Sequence, residues 1–134
     1  MVVVTSPMSW SKTLPCEDGS AYTDQDSAAC VPLPKYSSIK ALELSAQVLH
    51  KYNDKLRVHV VCSGFIYGNG EQNDIFYEFF RRAWVSLHPK LAALPVVGKG
   101  DNNIPTIHVT DLASALDHII LHGKDFKNYL IAVD

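Results

Sequence analysis

Tyr36 and Lys40, in the run Tyr36-Ser37-Ser38-Ile39-Lys40, are the two residues whose types and spacing could do acid/base chemistry. Positions four apart on a helix share a face. An ammonium beside a phenol favours the phenolate and lowers the tyrosine pKa from its free value of about 10. Such a tyrosine exchanges protons with a substrate near neutral pH. The same spacing also arises by chance, and the pair is then a wet first turn. The remaining reactive groups form no comparable set. Cys62 ends an apolar run, which suits an inert core thiol better than a nucleophile. His118 and His122 are four apart on a predicted helix, but no H-E-x-x-H brings a third ligand, so no metal site is expected. The sequence has no G-x-x-x-x-G-K-[ST], no G-x-S-x-G and no G-x-G-x-x-G. It therefore carries no P-loop, no nucleophile elbow and no usual dinucleotide fingerprint.

The elements that position the pair must come from one domain, since the chain has 134 residues. A hydrophobic content of 47% is enough for a packed core. The formal net charge of -2 gives no reason to expect nucleic acid or an anionic membrane as a partner. The three cysteines, Cys16, Cys30 and Cys62, form no C-x-x-C and read as free thiols of a reducing compartment. No apolar run approaches the roughly 18 residues of a membrane span. Met1-Val2-Val3-Val4 has no basic flank and makes a poor signal peptide. A cytoplasmic protein is expected.

Residues 1 to 4 are apolar and mostly β-branched, and read as a buried strand. A parallel strand at the very start lacks the crossover that normally precedes it, so the beginning looks absent. Its raw edge at residues 2–4 calls for cover by the rest of a longer polypeptide or by a protein partner. Thr5, Ser6 and Ser9 follow at the strand's carboxyl end, where open α/β sheets place their ligand crevice. Residues 11–35 hold Pro15, Gly19, Pro32 and Pro34 and read as a long loop. A helix is expected from Lys35 to about Tyr52, with Ile39, Leu42, Ala46 and Leu49 buried and Glu43 and Lys51 on its wet side. Residues 58–62 form a second buried strand, and Ser63 to Gly70 a glycine-rich turn. A helix over 73–87 has a wide apolar face of Ile75, Phe76, Phe79, Phe80, Ala83, Trp84 and Leu87, expected in the core. Residues 94–98 look extended, 99–103 a turn, and 104–109 a strand that starts or lies at an edge because of Pro105. Thr110 suits an N-cap, Leu112, Ala115, Leu116, Ile119 and Ile120 a buried face, and Gly123 a stop. Residues 129–133 form the last strand. The alternation calls for an α/β fold with a mostly parallel sheet and covering helices.

Ser6, Tyr36-x-x-x-Lys40, Ser63-Gly64-Phe65-Ile66-Tyr67-Gly68 and Ile107-His108-Val109-Thr110-Asp111-Leu112-Ala113 occur in one order. Together they resemble the C-terminal part of the extended short-chain dehydrogenases/reductases, the NAD(P)-dependent epimerase/dehydratase family. The resemblance implies a partial Rossmann-like domain over 1–134, lacking the N-terminal glycine-loop βαβ units. It implies that Ser6 hydrogen-bonds the substrate, Tyr36 is the general acid/base, and Lys40 tunes Tyr36 and holds the nicotinamide ribose. Ser63 and Gly64 would lie against the nicotinamide. Cys62, Ser63, Phe65 and Ile104 depart from the family's usual Arg, Pro, Asn and Arg. NAD or NADP is expected only if the missing half is supplied, because the pyrophosphate site lies there. Ala93 to Gly100, Ile104 to Val109 and Tyr129 to Asp134 further resemble the dehydrogenase-like region of a ciliary adenylate kinase, whose P-loop domain follows. That resemblance implies a slice of a longer protein, acting as a scaffold or regulatory module in the cytoplasm or cilium.

Overall fold

Among the described residues five short strands and three α-helices follow along the chain, all strand pairs being parallel. The computed structural model describes residues 1–53, 55–70, 74–85, 94, 96, 98–101 and 103–134. Strand β1 is Val2–Thr5, helix α1 Ser37–Val48, β2 His59–Ser63 and β3 Phe65–Tyr67. Helix α2 is Asp74–Trp84, β4 Thr106–His108, α3 Val109–His122 and β5 Tyr129–Ala132. The fold is mixed α/β, consistent with a partial Rossmann-like domain.

One sheet has the order β1-β2-β5, with Val3 opposite Val60 and Val61 opposite Leu130. The central strand β2 is buried at every position, which is why it reads as a continuous apolar run rather than an alternating one. Its two faces feed two cores. Val60 and Cys62 pack with Ala46 of α1, Val58 and Tyr129. Val61 packs with Ile107, Leu112 and Ile119, and so with α3. Helices on both faces follow from the crossover connections that parallel strands require. Strand β1 lies at the sheet's edge, and Val4 and Met1 are exposed rather than buried.

The stretch after β2 differs from the expected turn. Phe65–Tyr67 pairs with Thr106–His108 as a separate two-stranded sheet. Three β-formers between Gly64 and Gly68 are too few for a visible pattern, but suffice once a partner strand is supplied. The loop 11–35 contains a six-residue 3-10 segment, Asp24–Ala29, closed by a capping box. Thr23 donates to Asp26 from both N–H and Oγ1 at 2.8 Å, which holds the Asp26 carboxyl below its usual range.

Three burial expectations fail. In α1 the buried positions are Glu43 and Ala46, while Leu42 and Leu49 are exposed. In α2, Phe79, Phe80, Ala83 and Trp84 are exposed, Trp84 at 87%. Among the described residues Phe76 makes ring contacts with the small sheet, with Phe65 and Tyr67 at 6.4 and 6.2 Å. Strands of three residues cover too little of the helix to bury its whole apolar face. The Ile75 side chain, Leu87, Pro95 and Val97 lie outside the described residues. In α3 Leu112 and Ile119 are buried, but Ile120 faces solvent. The N-cap of α3 is His108, whose Nδ1 accepts from the Thr110 N–H at 3.2 Å; Thr110 itself lies inside the helix.

Candidate functional site

At the carboxyl ends of β1 and β2 lies a cleft of about 690 Å³, lined by Thr5, Ser6, Ser63, Gly64, Tyr67 and Asn69 among others. This is the end of a parallel sheet where ligands bind in open α/β folds. The extended backbone of β1 stops at Thr5 because Ser6 caps the 3-10 turn Pro7–Trp10, its Oγ accepting from the Met8 N–H at 3.4 Å. Ser63 closes β2 and donates from Oγ to the Thr5 carbonyl at 3.0 Å. Thr5 in turn donates from Oγ1 to Glu43 Oε1 at 2.7 Å. A hydrogen-bonded file therefore runs from the cleft to a carboxylate beneath α1.

Glu43 is 1% exposed, and its Oε2 has no hydrogen-bond partner. The wet-side expectation fails here because the Thr5 hydroxyl, far off in sequence, draws the carboxyl inward. Two thiols lie close by. Cys30 Sγ donates to the Ser9 carbonyl at 2.8 Å, and Cys62 Sγ lies 3.9 Å from Ser9 Oγ. Burial pushes both thiols above the usual cysteine range.

Two glycines shape the cleft's far wall. At Gly64 a Cβ would lie 2.7 Å from the Thr106 carbonyl carbon, so the close approach of β3 and β4 requires glycine. At Gly68, with φ of +97°, a Cβ would overlap the His108 ring. Tyr67 stands edge-on to that ring, 5.2 Å between centroids. The Asp134 carboxylate beside Tyr67 holds its phenol above the usual tyrosine range, so it stays protonated at neutral pH.

Of the residues singled out from sequence, Ser6, Ser63 and Gly64 meet in this cleft. Tyr36 and Lys40 do not line it. Tyr36 is not on the helix: it is the residue before α1, with φ -111° and ψ 8°. The Lys35 ammonium lies over its ring, 4.7 Å from the centroid. Lys40 Nζ donates to the Ser27 carbonyl at 2.8 Å, tying α1 to the long loop. Thr5, expected at the strand's carboxyl end where the crevice lies, and Tyr67, within the Ser63–Gly68 motif, also line the cleft. What no local signal gives is the partner of Thr5, Glu43, 38 positions away. None of the cleft's described lining residues is a carboxylate, a cation or an imidazole. The lining can orient a polar ligand through hydroxyl oxygens that accept from it. His118 and His122 are stacked at 4.6 Å, and among the described residues no three His, Cys, Asp or Glu groups converge as metal ligands. Nor is any described helix long and apolar enough to cross a membrane.

Comparison with known proteins gives one consistent result. The chain is 32% identical to adenylate kinase 7 of Mus musculus over 136 residues, covering 99% of this chain and 21% of that protein. It is 41% identical to adenylate kinase 7 of Macaca fascicularis over 80 residues, covering 60% of this chain and 14% of that protein. The chain thus spans about a fifth or less of the curated relatives it matches. This supports the resemblance to an adenylate kinase of that kind, as one part of such a protein. No family model and no solved structure matches.

Proposed function

We propose that this chain is a dehydrogenase-derived module of an adenylate kinase 7-like, ciliary polypeptide, acting as a scaffold or regulatory part rather than as a complete enzyme. The observation that carries the reading is the separation of the chemical groups. Ser6, Ser63 and Gly64 line the cleft, but Lys40 is bound to Ser27 and neither it nor Tyr36 lines that cleft. A dinucleotide does not fit what these residues supply. The cleft's described lining offers no cation to a diphosphate, and no glycine fingerprint occurs in the sequence. The remainder of the longer polypeptide would lie along the edge of β1 at residues 2–4. That a fold of this class hosts catalysis elsewhere does not transfer the activity.

The alternative is the catalytic half of an NAD(P)-dependent epimerase/dehydratase or reductase, using Ser6, Tyr36 and Lys40. It is favoured by the position of Ser6 at a strand's carboxyl end beside Ser63 and Gly64. The two readings separate in the full-length polypeptide. NADPH fluorescence is titrated and hydride transfer followed in the native sequence and in Tyr36→Phe. The scaffold reading expects no saturable NADPH signal, no turnover and an unchanged fold in the variant. Turnover in the native protein that Tyr36→Phe lowers by about 100-fold or more, the scale of general acid/base catalysis, refutes it.

A further inference from the structure

The opposite end of the sheet holds a second hollow, of about 760 Å³, where β1 and β2 begin and α3 ends. Its charged lining residues are Lys55, Arg57 and Lys124, and its described lining holds no carboxylate. In a chain of net charge -2 this is a local excess of positive charge. Among the described residues none of the three enters an ion pair. The carboxyl end of α3 adds about half a negative charge at most, which three full cations outweigh.

His59 also lines the hollow and is 4% exposed. Its Nδ1 lies 2.9 Å from the Lys127 carbonyl. A carbonyl only accepts, so Nδ1 carries the hydrogen. The other nitrogen, Nε2, is buried without a hydrogen-bond partner, although buried polar atoms as a rule have one. Gly123 closes over it, so near that a Cβ there would come within 2.9 Å of Nε2. The hollow's remaining wall includes Ile120 and Leu121, each 69% exposed.

We propose that this hollow binds a phosphate-bearing small molecule, with Lys55, Arg57 and Lys124 holding the phosphate and Ile120 and Leu121 the apolar remainder. Guanidinium and ammonium groups are the usual recognition of phosphate, and all three line this one hollow. The site lies at the opposite end of the sheet from the cleft, and Val2 in its wall adjoins the β1 edge that the scaffold reading gives to the rest of the polypeptide. The same chemistry could come from a soluble phosphate compound or a lipid headgroup, and the concave shape favours the soluble one.

The test titrates inorganic pyrophosphate into the full chain by calorimetry and follows the His59 imidazole resonances by NMR. Saturable binding is expected, with those resonances shifting along the same isotherm. Arg57→Ser with Lys124→Ser should weaken it at least tenfold with the circular dichroism spectrum unchanged. Lys12→Ser with Lys51→Ser, the same charge change elsewhere, should leave it within twofold. Absence of saturable binding overturns the proposal. So do equal weakening by both variant pairs, which means diffuse attraction, and binding that leaves His59 unmoved. Binding only to vesicles containing a phosphoinositide, with no competition by pyrophosphate, also overturns it and assigns the surface to a membrane.

Discussion

Glu43 shows how one distant hydroxyl sets the fate of a charged residue. With Oε1 on Thr5 and Oε2 without a partner, the carboxyl depends on a single side-chain bond. Removing the donor while keeping the shape leaves a buried acceptor wholly unmatched. Thr5→Val is therefore expected to lower stability by about 1–3 kcal/mol, read as a fall in the urea midpoint at constant m-value. Glu43→Gln keeps an acceptor for Thr5, so it should cost less than Thr5→Val in the same titration. The cysteines give a second prediction at this scale. Thiolate is the reactive form, and burial holds Cys30 and Cys62 in the thiol form. Iodoacetamide at pH 8 should modify Cys16 alone in the folded chain, with Cys30 and Cys62 reacting only in denaturant. Rapid native labelling of Cys62 would contradict the structure.

At the scale of elements, the β3–β4 pair depends on glycines that a sequence pattern reads only as a turn. Gly68 and Gly70 both have φ near +95°, but only at Gly68 would a Cβ meet another side chain. Alanine at Gly70 carries the backbone cost alone, about 1 kcal/mol. Alanine at Gly68 adds the clash with His108, which also caps α3. Gly68→Ala should therefore cost at least about 2 kcal/mol more than Gly70→Ala, the scale of an overpacked site, and thermal unfolding of the two variants checks the order. Equal costs would mean that the His108 ring moves aside freely. The aromatic face of α2 belongs to this scale too. Phe79, Phe80 and Trp84 are spaced for a core, yet they are exposed, while Phe76 meets the two-stranded sheet.

Across the whole molecule, the two ends of the chain are tied together. Trp10 Nε1 donates to the Tyr129 hydroxyl at 3.0 Å, across 119 positions, while burial pushes the Tyr129 phenol far up. Among the described residues β1 and β5 each pair on one side only, and β5 is met by Asp24, which accepts from the Ile131 N–H. At β1 Val4 is exposed. An apolar edge of that kind templates pairing with another chain unless it is covered or charged. The 134-residue chain by itself should self-associate as concentration rises, and Val4→Lys should reduce that association in sedimentation velocity. A native chain that stays monomeric over a hundredfold concentration range would show that the edge needs no cover.

The sequence by itself determined what local periodicity and composition can carry. The apolar run of β2, the strand–helix–strand alternation and a parallel α/β arrangement are short-range consequences of apolar spacing. Tertiary structure decided the rest. It buried Glu43 through Thr5, paired Phe65–Tyr67 with Thr106–His108, and gathered Ser6, Ser63 and Gly64 at one cleft while Lys40 turned to Ser27. The physical reason is common to all three. Each depends on a partner supplied by a distant stretch of chain, and neither helix periodicity nor motif spacing contains information about which distant group will arrive.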